Sequence, residues 1–436
     1  MKTLGLDIGT TSISATVYDA QLGECRSWNV KNDSFLPGES WERIQCPVTI
    51  LQAIESILYD VLKEYPDIAG IGVTGQMHGI LYLDADGTPV SPLYTWQDGR
   101  GDLLYDEQAS WAQHLSRITG YRLSTGYGMV THYYNQENGL VPEKAVVFCT
   151  IQDYVAMVLS GRTRPVTDHT NAASLGLFDC AHGCFDPNAL EAAGIRRELL
   201  PAIADTPLLG YYGNGIPVFA AIGDNQASFL GAASGRKDAV LVNMGTGGQI
   251  SIYSPVHLQT GSLETRPFPG GGYLLVGASL CGGRSYALLE RFFRQTVELV
   301  TGKSESAYDA MMAALDSCDA PEDIPLAVTT FQGTRLDPSM RGCFRNVSED
   351  NFSPVHFMHS ILHGMAQELH TFYRDYRNLG GATPSLLIGS GNALRRNKHL
   401  CRIFEETFGF RLILSENEEE AACGAAIYAL EHCRQL

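Results

Sequence analysis

Hydrophobic residues recur along the chain with the two spacings that distinguish strands from helices. Short apolar runs that end in polar, glycine-rich turns predict strands at residues 3–19 (TLGLDIGTTSISATVYD) and 239–253 (AVLVNMGTGGQISIY). Apolar residues three and four positions apart predict a helix through Leu51, Ile54, Leu58 and Val61. The same patterns predict strands at 68–74, 79–84 and 385–388, and helices at 225–233, 362–376 and 418–430.

The two strand–turn–strand stretches are related to each other. Gly9 and Gly245 are 236 residues apart, and Thr10 and Thr246 are separated by the same distance, so the stretches align without a gap. An internal duplication is therefore predicted, with alternating strands and helices in both halves. We expect an α/β protein of two domains, 1–234 and 235–436, joined through residues 231–240.

Length, charge and cysteine spacing exclude several classes of protein. The chain has 436 residues, 44% of them hydrophobic, and carries a net charge of −17, which argues against disorder and against nucleic acid as a partner. No apolar run reaches the ~18–20 residues of a membrane span, and the first residues, MKTLGLDIGTT, do not resemble a signal peptide. The 11 cysteines include no CxxC pair, so we expect reduced thiols and a cytoplasmic protein.

The turn in LDIGTTS (6–12) is the first candidate for chemistry. Backbone N–H groups and the hydroxyls of Thr10, Thr11 and Ser12 suit a phosphate, and Asp7 is placed to hold a hydrated Mg²⁺ beside it. The alternative is a plain hairpin turn, in which glycine and threonine are common. The second turn, Gly245–Gly248, favours the functional interpretation, because two such loops could hold one triphosphate.

Two strand-to-helix turns carry further candidates. GSGNALRRN (389–397) would let a nucleotide lie against the backbone at Gly389 and Gly391. GDNQAS (223–228) places Asp224 at a strand end, where it is a candidate general base. For both turns the alternative is structural, with Asn392 or Asp224 serving as the N-cap of the following helix.

A polar cluster lies in GQMHG (75–79) and TWQDGR (95–100). Its donors, acceptors and aromatic face suit a polyhydroxylated ligand, which needs many directional hydrogen bonds. The alternative is a surface loop with a satisfied histidine. The candidates are Gln76, His78, Trp96, Gln97, Asp98 and Arg100.

Three other patterns are rejected. GIGVTG (70–75) matches a dinucleotide fingerprint, but a strand and not a helix is predicted after it. Four histidines of one predicted helix invite a zinc interpretation, yet His356 and His363 are about 10.5 Å apart along the helix axis, so a structural role is favoured. The same helix carries His359 and His370, and no P-loop, HExxH or GxSxG motif is present.

In combination these motifs resemble the FGGY carbohydrate kinases. DIGTTS, GQMHG, WQDGR, GDNQ, NMGTGG, GSGN and the helix EEAACGAA (419–426) follow one another in the order of that family over nearly the whole chain. SPLYTWQDGR, TIQDYV, TNAASLGLF and YLLVGASLCGG are most similar to the family's sedoheptulose-phosphorylating branch, with xylulose-phosphorylating members as the alternative.

The resemblance implies two ribonuclease H-like domains of the actin, Hsp70 and sugar kinase superfamily, with an interdomain active-site cleft. It implies ATP as donor, Mg²⁺ as cofactor and a sugar as acceptor, with Asp224 as catalytic base and as a metal ligand beside Asp7. The sugar-side residues it implies are Gln76, Met77, His78, Trp96, Gln97 and Asp98. The nucleotide-side residues are Thr10, Thr11, Ser12, Gly245, Thr246, Gly247, Gly389, Gly391 and Asn392.

Two departures from the family pattern and several alternatives remain. The segment GYGMVTHYYNQ (126–136) lacks the family's Lys-aliphatic-x-Trp sequence, and Gly333-Thr334-Arg335 replaces Gly-Glu-Arg. A chaperone or a filament protein would share the nucleotide fold without the sugar-type cluster, and a phosphatase of the superfamily is the distant alternative. The oligomeric state is left open, a homodimer included.

Overall fold

A computed structural model describes residues 1–259, 261–317, 320–334, 337 and 339–436 of the chain. Arg335 of the Gly-Thr-Arg departure lies outside these described residues. The chain forms two compact units. The first comprises Met1–Gly235, Arg266–Gly271 and Asn417–Leu436, and the second comprises Arg236–Thr265 and Gly272–Glu416.

Residues 1–235 alternate strands with helices. The strands are β1 (Lys2–Ile8), β2 (Ser12–Asp19), β3 (Glu24–Lys31), β4 (Ile44–Gln45), β5 (Ile68–Gly75), β6 (Leu81–Leu83), β7 (Leu93–Tyr94), β8 (Val147–Cys149), β9 (Val166–Thr167), β10 (Phe178–Asp179), β11 (Cys184–Phe185), β12 (Ala202–Ile203), β13 (Leu208–Tyr212), β14 (Ile216–Phe219) and β15 (Ile222–Gly223). The helices are α1 (Pro47–Glu64), α2 (Trp111–Thr119), α3 (Gly128–Glu137), α4 (Ile151–Leu159), α5 (His169–Leu175), α6 (Pro187–Ala192) and α7 (Asp224–Ala232), with 3₁₀ turns at Gly99–Asp102 and Arg197–Leu199.

Residues 236–436 repeat this alternation. The strands are β16 (Ala239–Met244), β17 (Gly248–Ser254), β18 (Glu264–Pro267), β19 (Tyr273–Ser279), β20 (Leu326–Val328), β21 (Cys343–Arg345), β22 (Leu386–Ser390) and β23 (Leu412–Leu414). The helices are α8 (Gly282–Thr301), α9 (Tyr308–Ser317), α10 (Pro354–Asn378), α11 (Asn392–Arg396), α12 (Lys398–Phe408) and α13 (Glu420–Cys433).

The main sheets of the two halves share one strand order. In the first sheet, β3-β2-β1-β5-β14 pair in sequence, with β1 antiparallel to β2 and parallel to β5. In the second, β19-β17-β16-β22-β23 pair in the same order and directions, with β16 antiparallel to β17 and parallel to β22. The mixed α/β class and the predicted duplication are therefore confirmed. β5 is followed by β6 and not by a helix, so GIGVTG belongs to a strand, as predicted.

The last helix, α13, lies in the first unit, whereas the sequence-based boundary placed it with the second half. It packs against β1, β5 and α7. Close approach is possible because Gly5 of β1 and Gly72 of β5 have no side chain where the helix backbone passes. The packing of α13 with the first unit is a tertiary contact, and the order of residues along the chain does not reveal such a contact.

Large apolar clusters hold each half. In the first half the buried residues come from β1, β2, α1, β5 and α4, and in the second from β16, β17, α10, β22 and α12. The histidine-bearing α10 lines the second cluster. Its His359 is buried, and burial lowers the pKa of that ring to about 4. Along the parts of the chain that the structure describes, no helix is both long enough and apolar enough to cross a membrane.

The cysteines differ in one respect from the expectation of reduced thiols. Cys25 of β3 and Cys423 of α13 form a disulfide, and they are 398 residues apart in the sequence. Seven other cysteines of the described residues carry free thiols, namely Cys46, Cys149, Cys184, Cys281, Cys343, Cys401 and Cys433. Spacing rules consider nearby pairs, so a link between the two ends of the chain gave no signal.

Candidate active site

The first glycine–threonine loop joins β1 to β2 and is fixed by side chains from outside it. Asn32 donates through Nδ2 to the Gly9 carbonyl (2.8 Å), and its own N–H donates to the Thr11 carbonyl (2.9 Å). Gln45 donates through Nε2 to the Thr10 carbonyl (2.9 Å). These bonds occupy the carbonyl oxygens of the loop, so its backbone is held in one shape before any ligand arrives.

The hydroxyls of this loop meet the predicted sugar cluster. Thr10 Oγ1 donates to Gln76 Oε1 (3.1 Å) and accepts from Trp96 Nε1 (3.0 Å). Thr11 and Ser12 are exposed, which leaves their hydroxyls accessible to a ligand. The structure therefore brings the first predicted phosphate loop and two predicted sugar residues into direct contact.

Two predicted carboxylates lie at the same edge of the first sheet. Asp7 pairs in register with Thr74 of β5, and Gly223 of β15 pairs with Gly75 at the end of β5. Asp224 follows Gly223 directly as the first residue of α7. Because parallel strands end at one edge of the sheet, the carboxyl groups of Asp7 and Asp224 converge there.

Burial and mutual repulsion dominate the electrostatics of this edge. Burial, together with the negative charges of Asp224 and Glu419, raises the pKa of Asp7 to about 7. Glu419, the residue before α13, accepts hydrogen bonds from Ser14 Oγ (2.8 Å) and Asn29 Nδ2 (3.0 Å). The charges of Asp224 and Glu419 thus both act on Asp7, and a cation beside Asp7 would offset that repulsion.

Asp224 does not cap its own helix. The N-cap of α7 is Gly223, and no side chain makes a capping hydrogen bond, so the structural alternative for Asp224 is wrong. Burial raises the pKa of Asp224, while the charge of Arg266 and the donors of Asn225 and of the Met77 backbone oppose that rise. Asn225 Nδ2 donates to Asp224 Oδ1 (2.9 Å). The carboxylate is therefore oriented by its neighbours and remains available for proton transfer.

Gln76 and His78 follow β5 and are held precisely. Gln76 is buried and donates through Nε2 to Gln45 Oε1 (2.8 Å). The His78 ring lies 4.4 Å from the Tyr127 ring and nearly parallel to it (9°). His78 Nδ1 lies 2.6 Å from the Ser174 carbonyl, which can only accept, so Nδ1 carries a proton.

Asp98 differs from its neighbours in the second sugar motif. Trp96 and Gln97 are exposed, whereas Asp98 has no exposed surface. Its Oδ1 accepts from Arg100 Nε (2.6 Å) and its Oδ2 from the Arg43 backbone N–H (3.1 Å). Both carboxylate oxygens of Asp98 thus have donors within the protein, and its contact with sugar stays a prediction. Asp98 anchors Arg100, whose guanidinium lies 4.1 Å from the Tyr94 ring centroid.

In the second unit, the loop between β16 and β17 contacts the start of α8. Gly283 N donates to the Gly245 carbonyl (2.9 Å), and Arg284 N donates to the Thr246 carbonyl (3.1 Å). A side chain at Gly282 would overlap the backbone of Gly247. The loop and the helix start thus form one rigid corner, in which glycine is required by close approach.

The predicted adenosine motif lies beside that corner. β22 runs parallel to β16, and Ser390 pairs with Asn243. Gly389 and Gly391 therefore lie at the same edge of the sheet as Gly245. Gly391 has a φ of 87° and is itself the N-cap of α11, so the alternative of Asn392 as N-cap is wrong. Asn392 is exposed as the first helical residue.

Three contributors were not among the predicted site residues. Glu419 was quoted only within a family motif, and Tyr127 lies in the segment that departs from the family pattern. Arg266 precedes Pro267 in a stretch without a recognised motif and lies beside Asn225 of the first unit. These three residues are recognised only through contacts with residues distant in sequence.

Comparison with known proteins fits this arrangement. Residues 2–231 match the FGGY family of carbohydrate kinases, N-terminal domain, and residues 240–431 match the C-terminal domain of the same family. The chain belongs to the FGGY carbohydrate kinases. It is therefore an ATP-dependent phosphotransferase that acts on a sugar hydroxyl, as the motifs predicted.

Individual relatives of this FGGY kinase span almost its whole length. It is 31% identical to the sedoheptulokinase of Mus musculus, over 98% of this chain and 97% of the relative. It is 26% identical to the xylulose kinase of Lactococcus lactis, over 99% of this chain and 87% of the relative. Its fold is similar to the crystal structure of xylulose kinase from Rhodospirillum rubrum, with a TM-score of 0.82, 20% identity and coverage of 99% and 91%.

Proposed function

We propose that this FGGY kinase phosphorylates the terminal hydroxyl of a ketose and that sedoheptulose is the preferred substrate, giving sedoheptulose 7-phosphate. The observation that carries the substrate choice is the similarity to mouse sedoheptulokinase, which leaves almost no part of either chain unmatched. The xylulose kinase of Lactococcus lactis is less similar and is covered over a smaller share of its length. D-xylulose is therefore the second candidate.

The polar wall of the first unit supports a polyol ligand. Trp96 offers a partly exposed aromatic face, and His78 offers an imidazole ring whose orientation is fixed by Ser174 and Tyr127. Hydroxyl groups of a sugar are both donors and acceptors, so fixed groups of this kind discriminate among their positions. Gln76 and Met77 belong to the same wall.

In the proposed mechanism Asp224 accepts the proton of the attacking hydroxyl. The Asn225 amide holds Oδ1 of the carboxylate, and the backbone N–H of Met77 also donates to it. As the proton moves to Asp224, the substrate oxygen forms a bond to the γ-phosphorus and the bond to the β-phosphate oxygen of ATP breaks. Phosphoryl transfer depends chiefly on such positioning and on charge neutralisation.

A divalent cation fits the carboxylate edge. Asp7 has a pKa raised to about 7 by burial and by two neighbouring carboxylates, and in the described chain no side chain donates a hydrogen bond to it. We propose that Asp7 and Asp224 hold Mg²⁺, directly or through water, since carboxylate oxygens are its usual protein ligands. When bound, the ion neutralises phosphate charge.

Each unit is proposed to carry its own nucleotide-contacting residues. In the second unit Gly389, Gly391 and Asn392 would lie along adenosine, and Gly245, Thr246 and Gly247 along the phosphates. In the first unit the exposed hydroxyls of Thr11 and Ser12 would donate to phosphate oxygens, and Thr10, whose own hydroxyl is bonded to Gln76 and Trp96, would hold the loop in shape. The support for this assignment is that the second-unit motifs share one sheet edge and that the first loop adjoins Trp96 and Gln76.

An ADP-release assay over a ketose panel tests the substrate. The panel contains sedoheptulose, D-xylulose, D-ribulose and D-fructose at equal concentrations, with saturating ATP and magnesium. We expect the highest kcat/KM with sedoheptulose and no ADP release without sugar. A strong response to D-xylulose with none to sedoheptulose would replace the substrate and leave the enzyme class unchanged.

The Asp224→Asn variant tests the assignment of the base. General-base catalysis typically contributes ~10²–10⁴ in rate, so we expect turnover to fall by about that factor while ATP still binds. Asp86→Asn, which changes an exposed carboxylate in a hairpin turn, is the matched control. Near-normal turnover of Asp224→Asn would show that another group accepts the proton.

A further inference from the structure

The segment Arg266–Gly271 is fastened along α7. Arg266 donates from its guanidinium to Asn225 Oδ1, and Gln226 Nε2 donates to the Pro267 carbonyl (2.8 Å). Phe268 packs edge-on against Phe229, with 5.8 Å between ring centroids. Three successive residues of the segment thus contact the helix that begins with Asp224, so Arg266 is held in a defined place.

Arg266 is almost completely buried, with 9% of its surface exposed. A buried guanidinium must be paired, and one of its partners is the Asn225 side chain. The same amide donates through Nδ2 to Asp224 Oδ1 (2.9 Å). The three side chains therefore form a line in which each hydrogen bond has a defined direction, from Arg266 to Asn225 and from Asn225 to Asp224.

The direction of this line matters because an amide has two chemically different ends. Arginine has only donors, so it can hold the amide oxygen of Asn225 and not its nitrogen. With the oxygen turned to Arg266, the NH₂ group of Asn225 points to the carboxylate. Without Arg266 the amide is free to turn over, and its oxygen would then face Asp224 and repel it.

We propose that Arg266 is a positioning residue for the catalytic carboxylate, acting through Asn225 on Asp224. The inference rests on the proposed role of Asp224 as base. A carboxylate misplaced by about 1 Å can lose ~10²-fold in rate, so the effect belongs on turnover and not on the affinity for sugar. Direct binding of the sugar by Arg266 is the competing interpretation, and it predicts the opposite division between kcat and KM.

The test uses the full-length protein with whichever sugar of the ketose panel gives the highest turnover. Arg266→Met removes the donors at similar length, and Arg266→Lys keeps a donor and the charge. Arg236→Met is the matched control, because Arg236 is an exposed arginine whose Nη2 lies 2.9 Å from Asp238 Oδ2. For each variant, kcat and both Michaelis constants are measured after the fold is checked by circular dichroism.

We expect Arg266→Met to lower kcat by about 10²-fold with sugar KM changed less than about threefold. Arg266→Lys should recover part of that loss, and Arg236→Met should match the unmodified protein. In a double-mutant cycle of Arg266→Met with Asn225→Ala, the second substitution should lower kcat little beyond the first, because both break the same line of hydrogen bonds.

Three results would overturn the inference. They are an unchanged kcat in Arg266→Met, a rise in sugar KM at constant kcat, or additive losses in the Asn225 cycle. If Arg266→Met does not fold, Arg266→Lys and Asn225→Ala decide the matter by the same division between kcat and KM. An active Asp224→Asn variant would refute the base itself, whereas an inactive Asp224→Asn beside a fully active Arg266→Met would refute only the positioning role.

Discussion

Asp153 on α4 is a buried carboxylate whose ionisation should destabilise the protein. Its side chain has no exposed surface, and Oδ2 has no hydrogen-bond partner among the described residues. Oδ1 accepts from Asn171 Nδ2 (3.2 Å), a bond that favours ionisation. Burial outweighs the opposing hydrogen bonds of Thr150, Thr167 and Asn171 and, with the charge of Asp168, raises the pKa of Asp153 from 3.8 to about 7.

The sign of the pH effect follows from this shift. Between pH 3.8 and about 7 the folded protein keeps the Asp153 proton while the unfolded chain has lost it. The folded state therefore binds more protons, and its stability falls as pH rises through that window. A shift of about three pH units corresponds to roughly 4 kcal/mol, which is the upper limit of the loss above pH 7.

Substitution of Asp153 by asparagine should remove this pH dependence. Asparagine keeps an acceptor for Asn171 and cannot ionise. At pH 8 we expect Asp153→Asn to raise the free energy of unfolding, by up to roughly 4 kcal/mol. At pH 4.5 we expect little difference, since Asp153 is then protonated in the folded state.

Tryptophan fluorescence during urea unfolding measures the effect in the relevant unit. All four tryptophans, Trp28, Trp41, Trp96 and Trp111, belong to the first unit, so the signal follows that unit. The midpoint is measured from pH 4.5 to 8 for the unmodified protein, Asp153→Asn and the exposed control Asp86→Asn. A difference between Asp153→Asn and the unmodified protein that is the same at every pH would refute the reasoning.

Two further substitutions test packing and charge burial. A methyl group on Gly424 would overlap the Ala227 carbonyl of α7, so Gly424→Ala should destabilise the first unit by about 1–3 kcal/mol and lower turnover, as measured by urea unfolding and ADP release. Arg100→Met leaves the Asp98 carboxylate buried without its partner and should lower the free energy of unfolding, measured in urea, by about 3–5 kcal/mol. Arg236→Met removes an arginine from an exposed ion pair and should lower the same quantity by less than about 1 kcal/mol.

Local signals were sufficient for the elements and for the loops that the proposed site uses. The segment GIGVTG matches a nucleotide fingerprint, which would require a helix directly after it. The residues that follow predicted a turn and another strand, and the structure has β5 followed by β6. The repeated Gly-Thr turns predicted a duplication, and the two sheets have the same strand order. Such features depend on neighbouring residues, so a single sequence contains them.

Contacts between residues distant in sequence were not predicted. Arg100 and the Arg43 backbone donate to Asp98, which the sequence analysis considered only as part of a polar motif. The disulfide between Cys25 and Cys423 and the packing of α13 on β1 and β5 join the two ends of the chain. In each case the deciding contact is tertiary, and a single sequence contains no record of it.

Two stretches that the sequence analysis could only compare with relatives now have a structural explanation. TIQDYV supplies Asp153, which accepts from Asn171 Nδ2, and TNAASLGLF supplies Asn171, whose Nδ2 also donates to the Ala221 carbonyl (2.8 Å). Thr170 of the second stretch accepts from the Gly223 backbone N–H (2.9 Å) through Oγ1. Both stretches therefore hold the short strand β15, which ends immediately before Asp224.

This arrangement gives a reason for a costly buried carboxylate. A neutral Asp153 is compatible with the fold, and its bond to Asn171 helps to fix β15, which ends immediately before Asp224. Arg266 contacts the Asp224 carboxylate through Asn225. Because Asp153 keeps its proton below about pH 7 in the folded protein, Asp153→Asn should preserve turnover at pH 6 if the asparagine still accepts from Asn171. Loss of turnover at pH 6 in a folded Asp153→Asn variant would show that the Asn171 contact does not survive the substitution.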